Sequence, residues 1–357
     1  MSEDPIKIKI TSEEVERVVM PEPTAQPYQP AQPSGVSKSY GRIASSPAVG
    51  ASAQAGGSIL MKAWFYLGFA GLVGAFLAWA ICEPAFVDGW RRSDVRWGNI
   101  LLFPLMVILM SVGFGIAESM VGRSVKKALQ KGILSLILGT VVGFIFNVIA
   151  NIVFEVLLAG FGVRFDEGSP RDPSLWISRA IAWAVFGIVG GIVYGVVDRS
   201  GKKCLYGVLG GAIGAGLGGF LFDPIGLVTN GAAASRAVGM MILGAGTGIA
   251  MGLVESALKD RWLYVSGGPL AGKQFILYKP QTQVGSQQSA DIYLFKDPGI
   301  LPTHALIEVR GAQTVLHCMG PVFVSGQSAQ PQQILKSGDV IQIGRYTFSF
   351  LEKQRTQ

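Results

Sequence analysis

The chain changes character at Arg261, and this change constrains the fold more than any other feature of the sequence. Residues 58–260 consist of long apolar segments rich in glycine, whereas residues 261–357 alternate apolar and polar side chains between turn-forming residues. A mean hydropathy of +0.42 and a charged fraction of 15% agree with this division, because soluble proteins usually carry roughly 25% charged residues. The sequence predicts a polytopic α-helical membrane domain joined to an all-β module.

The first 57 residues have a different composition again. They are rich in Pro, Ser, Gly and Ala and show no sustained helical or strand period. Such segments bury too little apolar surface to offset the entropy of ordering, so we expect residues 1–57 to form a disordered cytosolic tail. A short alternation at residues 6–10 could add a strand to a partner, but a chance pattern is the favoured interpretation.

Six apolar runs in the middle of the chain are long enough to cross a bilayer, which takes about 20 helical residues. They lie near residues 59–82, 99–121, 132–158, 176–197, 203–222 and 235–256. An internal repeat supports this division, because the segment from Gly115 to Lys127 matches the segment from Gly191 to Lys203, and a weaker copy begins at Gly248. The repeat suggests duplication of a two-span unit, which occurs in transporters and also in structural helical bundles.

Basic residues indicate the orientation of the spans. The connections 122–131 and 198–203 carry seven Lys and Arg residues and, with Lys259, fall on one side of a six-span topology. No lysine falls in the connections on the other side. Since Lys and Arg are enriched in cytoplasmic connections, we expect a multi-pass protein of the inner (cell) membrane with both termini in the cytoplasm.

Glycine and a few polar residues are the notable features within the spans. Glycine recurs along the fifth and sixth runs, and we favour close packing within the chain over a pore or a homo-oligomer contact. Asn147, Asn151 and Glu155 form a polar stripe on one helix face, for which a structural clamp is favoured over a transport path. Glu118 and Glu255, near the inner ends of their spans, are expected to reach toward the headgroups.

The C-terminal module contains short apolar runs separated by turn residues, which predicts a β-sandwich. Its landmarks follow one another in a characteristic order: Gly268 to Phe275, Val284-Gly285, Asp291 to Leu294, His304 to Ile307, Val324-Ser325-Gly326 and Leu335 to Gly344. This ordered set resembles the forkhead-associated (FHA) domain, and the resemblance implies an eleven-stranded β-sandwich that reads phosphothreonine peptides. A Gly-Lys pattern ending at Lys273 has Gln274 where a nucleotide-binding loop needs Ser or Thr, so no nucleotide site is expected.

The sequence departs from the FHA pattern at the positions that the family uses to bind phosphate and peptide. Ser286 stands where the family has Arg, Leu301 where it has Ser, and Met319 where it has Asn. Because a phosphate dianion needs charged or well-placed donors to leave water, we expect phosphothreonine recognition to be weak or absent. The candidate peptide-binding residues are Ser286, Thr303, His304, Gly320 and Ser325, and His304 is expected mainly to stabilise loops.

These features predict an integral membrane protein that presents a degenerate FHA-like domain to a cytosolic protein partner, which can be phosphorylated. The alternative is a small-solute transporter or channel in which the β module is regulatory. No catalytic constellation is present in the sequence, so we expect no enzyme activity, and neither a cofactor, a metal nor nucleic acid as a ligand.

Overall fold

The computed structural model describes residues 59–87, 96–163, 171–228 and 232–353. The tail predicted over residues 1–57 lies outside these ranges. Within the described ranges, six α-helices precede the β module: α1 Ala63–Cys82, α2 Trp97–Val121, α3 Val125–Gly160, α4 Pro173–Val197, α5 Gly201–Val228 and α6 Ala232–Leu258. By length and composition, each helix can cross a membrane. The predicted fold class, six long apolar helices and an all-β sandwich, is confirmed.

The predicted connections 122–131 and 198–203 are too long. Helix α3 begins at Val125 and α5 at Gly201, so the lysines assigned to these connections lie in the first turns of the two helices. Lysine is a good helix former, and several of these lysines find partners on neighbouring elements, as described below. The connections themselves are three-residue turns, 122–124 and 198–200.

The internal repeat is visible in the backbone. Helices α2 and α4 each have 25 residues, and their bounds differ by 76 residues at both ends (173 − 97 and 197 − 121). The turn that follows each helix places an arginine in the left-handed region, Arg123 with φ 55° and Arg199 with φ 51°. In both turns the next serine donates its N–H to a carbonyl five residues earlier, at 2.9 Å and 3.0 Å. This is the Schellman arrangement that ends many helices.

Glycines allow the helices to approach closely. On α4 and α5, Gly187 faces Gly211 and Gly191 faces Gly207, and a Cβ at any of these positions would collide with backbone or α-carbon atoms of the facing helix. Gly71 on α1 meets α6 in the same way. Close packing over small residues is a main source of helix association in lipid. The glycine faces described here are therefore occupied by contacts within the chain, as the favoured interpretation of the sequence expected.

The module contains eleven strands, as the FHA resemblance implied: β1 Arg261–Gly267, β2 Gln274–Ile276, β3 Gln281–Gly285, β4 Ile292–Tyr293, β5 Ala305–Arg310, β6 Gln313–Cys318, β7 Phe323–Val324, β8 Gln327–Ser328, β9 Gln332–Leu335, β10 Val340–Ile343 and β11 Tyr346–Glu352. They form a six-stranded sheet in the order β2-β1-β11-β10-β7-β8 and a five-stranded sheet in the order β4-β3-β5-β6-β9. Alternate apolar residues of the two sheets, such as Leu263, Ile307 and Phe348, share one buried core. The loops at one end of this sandwich carry the predicted peptide-binding residues.

Candidate functional site

His304 is the centre of the predicted recognition loops. It is almost fully buried, and its Nδ1 accepts a hydrogen bond from the Leu301 N–H at 3.1 Å, while its Nε2 donates to the Pro321 carbonyl at 2.9 Å. Its own carbonyl accepts the N–H groups of Met319 and Gly320, each at 3.0 Å. A Cβ at Gly320 would collide with the imidazole ring. His304 therefore holds the β4–β5 loop against the β6–β7 loop.

The hydroxyl groups predicted to meet a peptide are already hydrogen-bonded within the chain. Ser286 donates its hydroxyl to the carbonyl of Ile300 at 2.7 Å, and Thr303 accepts a hydrogen bond from the Gln283 side chain. Ser325 lies in the β7–β8 turn with φ 50°, and its N–H donates to the Val340 carbonyl at 2.7 Å. The structure thus brings Ser286, Thr303 and Gly320 close to His304 through these loops, whereas the hydrogen bonds of Ser325 lead toward β10.

Apolar side chains are exposed beside His304. Leu301 and Met319, which replace the polar residues of the FHA pattern, are 43% and 51% exposed. Phe323, at the start of β7, is exposed as well. Their exposure gives this end of the module an apolar surface in place of phosphate-binding donors, and we call Leu301, Met319 and Phe323 the apolar patch.

The loop between β3 and β4, which carries Ser286, is attached to the helices. The hydroxyl of Ser124, in the α2–α3 turn, donates to the Gln288 carbonyl at 3.0 Å. Lys127, in the first turn of α3, donates to the carbonyl of Ala290 and to that of Asp291 at 3.3 Å. The start of α3 and the turn before it therefore fix one of the recognition loops directly.

Two further side chains of the module, the buried Lys273 and the half-buried Tyr278, contact the helix ends. Lys273 donates to the Glu118 carbonyl at 3.2 Å, and burial lowers the pKa of Lys273 to about 8. Tyr278 donates its hydroxyl to Glu255, which also accepts from Tyr194 at 3.2 Å. Burial and then the Glu255 carboxylate raise the pKa of Tyr278 well above its usual value, so the phenol keeps its proton. The expectation that Glu255 reaches toward the headgroups is wrong, because these hydrogen bonds hold its carboxylate in the interior.

An ionic cluster joins the helices beneath the module. Lys203 on α5 is almost fully buried and contacts both Glu118, at 2.5 Å, and Asp198. Asp198 also contacts Lys131 on α3. Lys203 holds the Glu118 carboxylate within this cluster, and its reach toward the headgroups stays a prediction. Because a buried charge is costly unless it is paired, this cluster fixes the relative positions of α2, α3 and α5.

The polar stripe lies on the outer surface of α3. Asn151 donates to the Asn147 carbonyl at 2.7 Å, and both Asn151 and Glu155 are exposed. Gly139 and Gly143 of α3 face α2, whereas Asn151 and Glu155 lie outside this contact. In the part of the chain that the structure describes, the stripe therefore does not line an internal path, and its function stays a prediction. Within the same ranges, no group of three or more potential metal ligands comes together.

The C-terminal region is similar to known proteins. Residues 265–354 match the family model described as the inner membrane component of T3SS, cytoplasmic domain. This match stops short of the six helices. Two relatives are the oxoglutarate dehydrogenase inhibitor of Corynebacterium efficiens, 32% identical over 25% of this chain and 63% of the relative, and the glycogen accumulation regulator GarA of Mycolicibacterium smegmatis, 31% identical over 25% of this chain and 57% of the relative. The chain thus spans less than two thirds of the length of these curated relatives.

Solved structures similar to the module include FHA domains. One is the FHA domain of an Arabidopsis thaliana hypothetical protein, with 26% identity and a TM-score of 0.25, covering 28% of this chain and 90% of that chain. Another is the cytoplasmic domain of the T3SS sorting platform protein PscD from P. aeruginosa, with 24% identity and a TM-score of 0.24, covering 27% of this chain and 83% of that chain. The eleven strands of the module and the family match over residues 265–354 bear out the resemblance of the C-terminal region to the FHA domain.

The residues that join the module to the helices were not predicted from the sequence. Lys127 and Lys203 occupy equivalent positions of the repeat, 76 residues apart, and the repeat was a usable signal that both matter. Lys127 binds the module, whereas Lys203 binds carboxylates of the helices. For Lys273 and Tyr278 no local signal was available, because their partners lie more than 20 residues away in the chain.

Proposed function

We propose that the chain is a membrane-anchored interaction protein whose six helices hold an FHA-like module at the cytoplasmic face of the membrane. The match of residues 265–354 to the cytoplasmic domain of an inner membrane component supports this placement. The hydrogen bonds from Ser124, Lys127 and Lys273 support a fixed attachment, because they join the α2–α3 region to a loop and a strand end of the module.

The partner is a protein that contacts the apolar patch and does not need a phosphothreonine. The observation that supports this proposal is the hydrogen bonding and exposure of the side chains at the three substituted positions. The Ser286 hydroxyl is hydrogen-bonded within its own loops, and Leu301 and Met319 are exposed apolar groups. A phosphate would lose its hydration there without gaining a charged donor, whereas an apolar segment would gain from burial.

The experiment is site-specific photocrosslinking of the full chain in its native membrane. A photoreactive amino acid is placed at Leu301 or at Met319, and the matched control carries it at Gln313, which is exposed at the opposite end of β5 and β6. We expect both test positions to crosslink the same protein and the control position not to do so. Treatment of the membranes with phosphatase before irradiation should leave the crosslink in place.

Two results would contradict the proposal. Equal crosslinking from Leu301, Met319 and Gln313 would show that this surface has no partner of its own. Loss of the crosslink after phosphatase treatment would instead show that recognition depends on phosphate.

A further inference from the structure

A cavity of about 570 Å³ lies between the helix ends and the module. Its walls come from the ends of α2 and α4, from the starts of α3 and α5, and from β2 to β4 with their loops. Three carboxylates and five basic side chains line it, an excess of two positive charges. The basic side chains are Lys127, Lys131, Arg199, Lys203 and Lys279. We infer that this cavity binds the phosphate-bearing headgroup of an anionic phospholipid.

The carboxylates in the cavity do not neutralise its basic side chains. Asp198 is shared between two lysines, and Asp291 is paired with Lys279 at 2.9 Å. Among the described residues, Lys127 donates hydrogen bonds only to backbone carbonyls. Within the described ranges Arg199 has no ion pair and is exposed at the rim. A phosphate would therefore meet cations that the protein leaves without a carboxylate, which is the composition expected of a headgroup site between membrane helices.

Lys273 provides a second, independent indication of uncompensated positive charge. It is almost fully buried in an adjoining small cavity, which shares Lys127, Lys131 and Glu118 with the larger one. Its hydrogen bond goes to the Glu118 carbonyl, and no carboxylate oxygen among the described residues lies within ion-pair distance. An anion in the cavity would stabilise the charge of this lysine, which water no longer solvates.

The direction in which the cavity continues favours a lipid over a soluble anion. Lys127, Lys131 and Leu134 follow one another along one face of α3, and Leu134 belongs to the cavity lining. Beyond Leu134, α3 presents exposed apolar side chains, including Ile137 and Val141. A phospholipid fits this arrangement, because its phosphate can lie among the lysines while its acyl chains follow the apolar face of α3.

Binding should depend on pH through Lys273. The charged groups around Lys273 come from every element packed against it: Glu118 of α2, Lys127 and Lys131 of α3, Lys203 of α5 and Asp291 of the β3–β4 loop. Burial lowers the pKa of Lys273 to about 8, Glu118 opposes this change and the three lysines add to it. Lys273 is therefore mainly protonated at pH 7 and loses its charge as the pH rises through 8, so the affinity for an anion should fall over the same range.

The test uses the purified full chain in neutral detergent, titrated with phosphatidylglycerol or with phosphatidylcholine and analysed by native mass spectrometry. The cavity variant combines Lys127→Gln and Arg199→Gln, which remove the two cavity cations that have no carboxylate partner among the described residues. The matched control combines Lys126→Gln and Lys202→Gln, which remove two charges from the same helix starts but outside the cavity lining. Each lysine or arginine near an anionic lipid contributes about 1 kcal/mol, which is about fivefold in affinity.

We expect the unchanged chain to prefer phosphatidylglycerol, the cavity variant to lose about 25-fold in affinity, and the control variant to stay within about twofold. Equal losses in both variants would overturn the proposal, since they would indicate attraction to the general basic surface. A cavity variant with unchanged affinity would overturn it too. A parallel arm adds inorganic pyrophosphate, and its binding in place of the lipid would identify a soluble phosphate as the ligand and overturn the assignment to a lipid.

Discussion

The ionic cluster around Lys203 gives the sharpest test of how the helices are held together. The Lys203 side chain is 2% exposed and contacts both Glu118 and Asp198. Removing one partner of a buried ion pair costs about 3–5 kcal/mol, because the other charge stays in the interior without compensation. Asp198 keeps Lys131 as a partner, and Glu118 remains partly accessible to water, so we place Lys203→Met at the lower end, about 3 kcal/mol.

The neighbouring residue provides a matched control. Lys202 pairs with Asp260 at 2.8 Å, but both side chains are largely exposed. Exposed ion pairs contribute about 0–1 kcal/mol, so Lys202→Met should cost less than about 1 kcal/mol. The assay is the thermal unfolding of each variant in the same detergent, followed by tryptophan fluorescence. For a helical region of roughly 200 residues, about 3 kcal/mol corresponds to a decrease in Tm on the order of 6–12 °C.

A double variant separates the loss of the ion pair from the loss of packing. In Lys203→Met with Glu118→Gln, the carboxylate that lost its partner is neutral, so we expect the Tm to recover about half of the decrease. If Lys203→Met were no more destabilising than Lys202→Met, Lys203 would not be the ionic centre that the structure describes. A double variant less stable than the single one would also refute the reasoning, because the loss would then come from packing.

Three further predictions concern the helices, the recognition loops and the cavity. Gly187→Leu should prevent α4 and α5 from packing and abolish a monodisperse peak in size-exclusion chromatography, whereas Gly201→Leu, where a Cβ meets open space, should leave the peak unchanged. His304→Ala should remove the hydrogen bonds between two loops and speed amide exchange there, while His317→Ala, which loses only a half-exposed contact with a carboxylate, should leave those loops unchanged in the same hydrogen-exchange measurement. Raising the pH from 7 to 9 removes the charge of Lys273 and should weaken phosphatidylglycerol binding about fivefold, and a titration of the Lys273→Met variant should show no such change.

The helices were largely predictable because length and hydropathy alone decide whether a segment can cross a bilayer. Their ends were not. Lys126, Lys127 and Lys131 suggested a polar connection, but tertiary partners keep Lys127 and Lys131 within the first turns of α3. A charge at a helix end is placed by what it contacts, and those contacts come from distant parts of the sequence.

The recognition loops were predictable for a different reason. Their landmarks, such as Gly285 and His304, follow one another in the order of a known family, so the loop positions came from resemblance. The attachment to the helices could not be predicted from this resemblance, because Lys273 and Tyr278 of the module bind residues of the chain's own helices. The roles predicted for Ser286 and Ser325 in peptide binding remain predictions.

The most direct test of the proposed function is the response of the module to phosphothreonine. The full chain is presented with matched libraries of threonine and phosphothreonine peptides, alongside a variant that combines Ser286→Arg, Leu301→Ser and Met319→Asn. We expect the unchanged chain to show no preference for the phosphorylated library. We expect the triple variant to prefer it by at least about tenfold, which corresponds to about 1.4 kcal/mol. This is a conservative value for a charge-assisted bidentate contact. A clear phosphothreonine preference of the unchanged chain would contradict the claim that its recognition surface works without phosphate.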